Sequence, residues 1–155
     1  MRLEYFQLID RIVEINRTAQ TIRTEAAVPK ENTIFEGHFP GFPLMPGVLL
    51  TEAMAQTSGW LLIALNSFKR MPFLAGVTEA KFRDFVRPGD VLMVSAKLVH
   101  DGSGFAITDA KAERSGKPVC SATIKFRVVD FPNAKTSAYM KEFAERIQYP
   151  AELLA

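Results

Sequence analysis

Apolar and polar positions change their period several times along the chain. Residues 8–16 are rich in Ile and Val, and "NRTA" separates them from "TIRTEAAV", where Thr21, Arg23 and Glu25 alternate with Ile22, Thr24 and Ala26. A period of two is what a half-buried strand requires, so these segments predict an opening hairpin. Residues 29–47 carry little periodicity and much proline, which predicts an ordered, functional loop. Pro46 suits the first turn of a helix, because its missing N–H costs nothing there and its φ is already set. A helix over 46–65 follows, apolar nearly all round, so other structure must surround it.

Strand patterns return in "MPFLAGVTEAKFRDFV", "VLMVSAKLVH", "FAITDAKAER" and "VCSATIKFRVVDF", separated by the turns "RPGD", "DGSG" and "SGKP". Short glycine-containing turns between alternating segments predict an antiparallel meander. Tyr139, Met140, Phe143, Ala144 and Ile147 then recur at helical spacing, predicting a short amphipathic helix over 136–148. With no internal repeat or linker-like run, the order predicts one α+β domain over 1–155, a curved antiparallel sheet wrapped around a long central helix.

Composition narrows the function classes. The 155 residues are 48% hydrophobic, ample for a single core. Nineteen basic residues against seventeen acidic give no reason to propose nucleic-acid binding. The single cysteine, Cys120, cannot close an internal disulfide, and "MRLEYFQLID" lacks the features of a secretory signal, so a cytoplasmic setting is expected. Residues 48–65 form the longest apolar stretch, but Glu52 and several other polar residues interrupt it, so a core helix is expected instead of a membrane span. His38, His100 and Cys120 lie too far apart to give metal-ligand spacing. Cys120, within a strand pattern, reads as a small buried hydrophobe, and His100 beside "DGSG" as solvated.

The chemistry concentrates in 38–56. His38 lies between Gly37 and Phe39-Pro40, where its backbone is restrained, and imidazole is the best-suited general base near neutral pH. Glu52 falls about two turns into the apolar helix, where desolvation disfavours a charged carboxylate and favours an acid that can donate a proton. Gly47 lies near the helix N-terminus, where free N–H groups can polarise a carbonyl oxygen. Spacing alone leaves a second reading open, in which the turn and its histidine are structural and a neighbouring donor satisfies Glu52.

The stretch "GHFPGFPLMPGVLLTEAMAQ" resembles the signature of the (3R)-hydroxyacyl-acyl carrier protein dehydratases of the FabZ type, and "LAGVTEAKFRDFVRPGDVL" resembles that family's next strand and turn. The resemblance covers most of 9–129. It implies the hotdog fold and conversion of a (3R)-3-hydroxyacyl thioester to the trans-2-enoyl thioester without metal or organic cofactor. It also implies an acyl carrier protein partner and a homodimer, in some cases a trimer of dimers. His38 and Glu52 match the catalytic pair, contributed by different protomers, Gly47 matches the backbone donor, and Gln56 matches a glutamine that orients the acid. The related FabA-type dehydratase-isomerases carry aspartate where Glu52 stands, which implies dehydration alone.

Phe42, Phe82, Phe85 and Met93 are the expected tunnel residues, and Lys69, Arg83 and Arg87 the expected carrier contacts. Three features depart from the family pattern: "LIDRIVEI" comes early, without the usual His-Arg-Tyr-Pro-Phe run, Phe42 replaces a position that is often polar or basic, and a C-terminal extension runs over about 131–155. These suggest an altered acyl tunnel or mouth and a specialised paralogue. A hotdog thioesterase and a non-catalytic acyl-binding subunit are the rival functions.

Overall fold

The computed structural model describes residues 1–154. Strands β1 (Arg11–Asn16) and β2 (Thr21–Ala27) form the opening hairpin, followed by a short helix α1 (Thr33–Gly37) and the long helix α2 (Gly47–Leu65). Four more strands follow, β3 (Arg70–Phe82), β4 (Val91–Gly102), β5 (Phe105–Arg114) and β6 (Lys117–Asp130), and then helix α3 (Ala134–Arg146). All six strands join one antiparallel sheet in the order β1-β2-β4-β5-β6-β3. The sheet curls around α2, which packs against every strand from β2 to β6. This is the hotdog arrangement.

Strand parity explains how the helix is held. Leu92, Val94 and Ala96 of β4, Ala106, Ala110 and Ala112 of β5, and Ala122, Ile124 and Phe126 of β6 turn inward and are buried. Alanines on the inner face of the central strands let a helix approach closely without leaving voids. Twelve of the nineteen α2 residues are buried, among them Ala53, Met54, Leu61 and Ile63. By length and composition α2 could cross a membrane, but here the sheet encloses it as a core helix.

Two hydroxyl pairs pin its rotation and depth: Thr57 Oγ1 lies 2.8 Å from Thr24 Oγ1 of β2, and Thr108 Oγ1 of β5 donates to Ser58 Oγ at 2.8 Å. All four residues are fully buried, where an unpaired hydroxyl would cost about 1–3 kcal/mol.

Several boundaries differ from those expected. Pro46 is the N-cap of α2, with ψ at 134°, and the first helical residue is Gly47. The expected loop 29–47 contains α1, started by Asn32, whose side chain accepts from the Ile34 amide. Strand β3 stops at Phe82 instead of continuing to Val86, because Arg114 binds the Phe85 carbonyl and the carboxylates of Asp84 and Asp90, folding the segment after Phe82 onto the end of β5. Helix α3 starts two residues early, capped by Asn133 on the Thr136 amide. It ends before Gln148, which takes a left-handed φ of 58°.

The region beyond Val129 is well packed. Trp60 of α2 stacks on Phe143 of α3, with centroids 5.6 Å apart and planes 10° from parallel, and Phe68 stacks on Phe131 at 5.9 Å. The amide of Ile12 donates to the Ile147 carbonyl at 2.7 Å, joining the tail to β1.

Cys120 is completely buried in β6, with Sγ 4.0 Å from Met54 Sδ. Burial pushes its thiol up to about 11, so roughly one thiol in a thousand is ionised at pH 8. A disulfide reagent should therefore label native protein at least about a hundredfold more slowly than unfolded protein, because both access and thiolate are lacking. Equal rates in the two states would contradict this packing.

Candidate active site

His38 follows α1 and is held by three bonds. Its amide donates to the Ile34 carbonyl at 3.0 Å, its carbonyl accepts from the Leu44 amide at 2.7 Å, and its ring Nδ1 lies 3.0 Å from the Leu44 carbonyl. A carbonyl can only accept, so Nδ1 carries the hydrogen and Nε2 presents a free lone pair. Phe39 and Phe42 exchange backbone hydrogen bonds at 3.0 and 2.9 Å across a turn in which Gly41 takes φ 72°, a conformation that favours glycine. The His38–Phe39 peptide is cis, and the two rings stack at 4.3 Å.

The N-terminus of α2 supplies the donors. The amides of Leu49 and Leu50 both turn to the Pro46 carbonyl, and those of Gly47 and Val48 have no acceptor among the described residues. A side chain on residue 47 would come within 3.3 Å of the Phe82 ring, so glycine is what allows β3 to approach the helix end. Two free N–H groups at the positive end of a nineteen-residue helix suit a polarised carbonyl oxygen.

Glu52 stands further along α2 and is half-buried in the single chain, less enclosed than its helix led us to expect. Gln56 Oε1 accepts from the Leu8 amide at 3.0 Å, and its Nε2 donates to the Phe6 carbonyl at 2.9 Å and to Glu52 Oε1 at 3.0 Å. Because one partner can only donate and another can only accept, the orientation of the amide is determined. With Oε1 occupied by an N–H, a proton on Glu52 belongs on Oε2. Glu52 and Gln56 line a cavity of about 330 Å³, and His38 does not.

The other expected residues divide. Phe42 and Phe85 meet edge to face at 6.0 Å, and Phe82 covers Gly47, so three of the four expected tunnel residues gather at the N-terminal end of α2. They are 48%, 56% and 49% exposed, too open for core positions. Met93 is displaced by parity: its neighbours Leu92 and Val94 face α2, so Met93 lies on the opposite face of the sheet, between Glu25 and Glu113. It is not a tunnel residue of this chain.

The Arg87 guanidinium lies 5.9 Å from the Phe42 ring centre, whereas Arg83 donates to Ser121 Oγ at 2.8 Å, on the sheet face opposite the buried Cys120 and Ala122. Lys69 lies beyond the other end of α2, roughly 28 Å away at the helical rise, so the three cations do not form one patch. His100 is exposed on β4.

Sequence reasoning missed Arg114, which anchors the segment bearing Phe85 and Arg87, because its partners lie 24 and 30 residues away. The guanidinium is held above its usual range, first by the hydrogen bond to Asp90 and then by the charges of Asp90 and Asp84. It also missed Tyr5, Phe6, Met140 and Phe143 as lining residues of the Glu52 cavity.

A FabA-like domain matches residues 2–123. The chain is 38% identical over 126 residues to a 3-hydroxyacyl-[acyl-carrier-protein] dehydratase FabZ of Caldicellulosiruptor saccharolyticus, covering 79% of this chain and 88% of the relative. It is 39% identical over 122 residues to the FabZ dehydratase of Streptococcus pneumoniae, covering 78% and 86%. The chain belongs to the FabZ-type hotdog dehydratase family.

The family match contains His38, Gly47, Glu52 and Gln56 and ends before α3. Among solved structures, a hypothetical thioesterase from S. pneumoniae with coenzyme A superposes with a TM-score of 0.62 at 18% identity, covering 79% of this chain and 88% of that one. A conserved protein from Pseudomonas aeruginosa gives 0.61 at 16%, covering 77% and 87%. At such identities these likenesses establish the shared fold.

Gln56 binds the N-terminal segment as well as Glu52, so Gln56→Leu leaves the Leu8 amide without its acceptor and should lower unfolding stability by about 1–3 kcal/mol. A chemical denaturation midpoint unchanged from wild type would show that these bonds carry no net weight.

Proposed function

We propose that this chain dehydrates (3R)-3-hydroxyacyl groups carried on acyl carrier protein to the trans-2-enoyl form in type II fatty acid synthesis, as a cytoplasmic homodimer with shared active sites. The observation that carries this reading is the matched preparation of two groups: His38 with its hydrogen on Nδ1 and Nε2 free, and Glu52 with Gln56 on Oε1 and Oε2 free.

His38 Nε2 removes a proton from C2 of the thioester, and the charge that develops on the carbonyl oxygen meets the free N–H groups of Gly47 and Val48. Glu52 Oε2 gives its proton to the hydroxyl on C3, which leaves as water as the C2–C3 double bond forms. His38 has then gained one proton and Glu52 has lost one, and exchange with solvent resets both. Glutamate instead of aspartate at this position favours dehydration without isomerisation.

The dimer reading rests on two features. His38 does not line the cavity that Glu52 opens onto, which supports a site completed by a second copy. The thirteen-residue β3 is a sheet edge carrying exposed Phe73, Leu74 and Phe82, an arrangement that unprotected edge strands rarely keep. Pairing with β3 of a second copy covers it symmetrically. Arg87, beside Phe42, is the cation best placed to receive an acidic carrier protein at the mouth of the site, with Arg83 near it in the chain.

His38→Ala and Glu52→Gln should each lower turnover of an enoyl thioester of acyl carrier protein by about a hundredfold or more. The assay follows enoyl absorbance and free thiol together. Enoyl loss without thiol is expected, near-wild-type rates in both variants would remove the mechanism, and thiol release would make the protein a thioesterase.

A further inference from the structure

The cavity of about 330 Å³ beside Glu52 falls within the size range of small-molecule sites, and three of its walls come from α2, β3 and α3, with Tyr5, Phe6 and Phe126 completing the lining. One wall is a face of α2 running from Glu52 through Gln56 and Gly59 to Ile63, roughly 16 Å long at the helical rise. The start of β3 forms the second, and Met140 and Phe143 of α3 form the third. Polar groups gather at the Glu52 end. The opposite end is aromatic, where Phe143 stacks on Trp60.

Gly59 gives an independent indication. It lies in the interior of α2, where glycine is destabilising relative to alanine. Packing does not demand it, because an added side-chain carbon would meet only Pro72 at an ordinary 3.6 Å. What its lack of a side chain preserves is the width of the cavity.

We infer that this cavity holds the distal part of the substrate's acyl chain and that α3, through Met140 and Phe143, is the wall that sets how long a chain fits. The inference rests on the dehydratase reading, in which Glu52 meets the hydroxyl on C3, since the chain beyond C3 then needs apolar room adjoining that carboxyl. Helix α3 lies beyond the residues 2–123 that match the family model.

Two measurements test it on the full-length protein. Trp60 is the only tryptophan, so its emission reports occupancy of the cavity directly. Titration with the decanoyl amide of pantetheine should shift Trp60 emission, the acetyl amide should not, and Gly59→Met should weaken the decanoyl response about tenfold. In turnover, the ratio of kcat/KM for dodecenoyl over crotonyl thioester should fall about tenfold in Gly59→Met and rise in Met140→Ala.

If crotonyl thioester is turned over and neither variant moves the ratio, α3 is no length gauge and the inference fails while the dehydratase reading stands. If neither thioester reacts but Trp60 still answers the decanoyl probe, the dehydratase reading fails and the acyl pocket stands. Emission that follows protein concentration and ignores both probes would mean that a second copy fills the cavity, and would overturn the proposal.

Discussion

An apolar helix cannot remain in water, and the enclosure of α2 by a single sheet is the constraint on which the rest of this structure depends. Five strands press against it, and the Thr24–Thr57 and Ser58–Thr108 pairs hold it at one rotation. Once that rotation is set, Gly47 presents its amide at one end, and Glu52 and Gln56 share one face. The same packing makes the helix a rigid mount, since moving Glu52 would break buried hydroxyl pairs as well as apolar contacts.

The chemistry is divided between this mount and the loop before it. The loop holds His38 through the Ile34 and Leu44 backbone, so one tautomer is selected without a second side chain. The helix holds Glu52 through Gln56, whose other bonds reach the N-terminal segment. The proposed base and acid are therefore set by separate elements. That only one of them lines the α2 cavity fits the proposed dimer, in which a copy of the chain covers the exposed edge strand β3.

Much of this was legible in the sequence because the relevant signals are local. Proline and glycine around His38 mark a restrained turn, Pro46 and Gly47 mark a helix start, and alternation in 91–114 marks two strands of the meander. What failed depends on long-range geometry. Met93 was misplaced because alternation gives two faces without saying which one meets the helix. The early stop of β3 depends on Arg114, far away in sequence. The role of the tail was hidden because its helical spacing reveals an apolar face but not the cavity that face closes.

The central claim is that each active site takes its base from one protomer and its acid from the other. Mixing His38→Ala and Glu52→Gln chains, unfolded together and refolded as dimers, tests it directly. Each hybrid dimer would contain one site with both groups intact, so activity should recover to about a quarter of the wild-type level from two nearly inactive parents. Activity that stays at the level of the parents would place both groups in the same protomer and contradict the shared site.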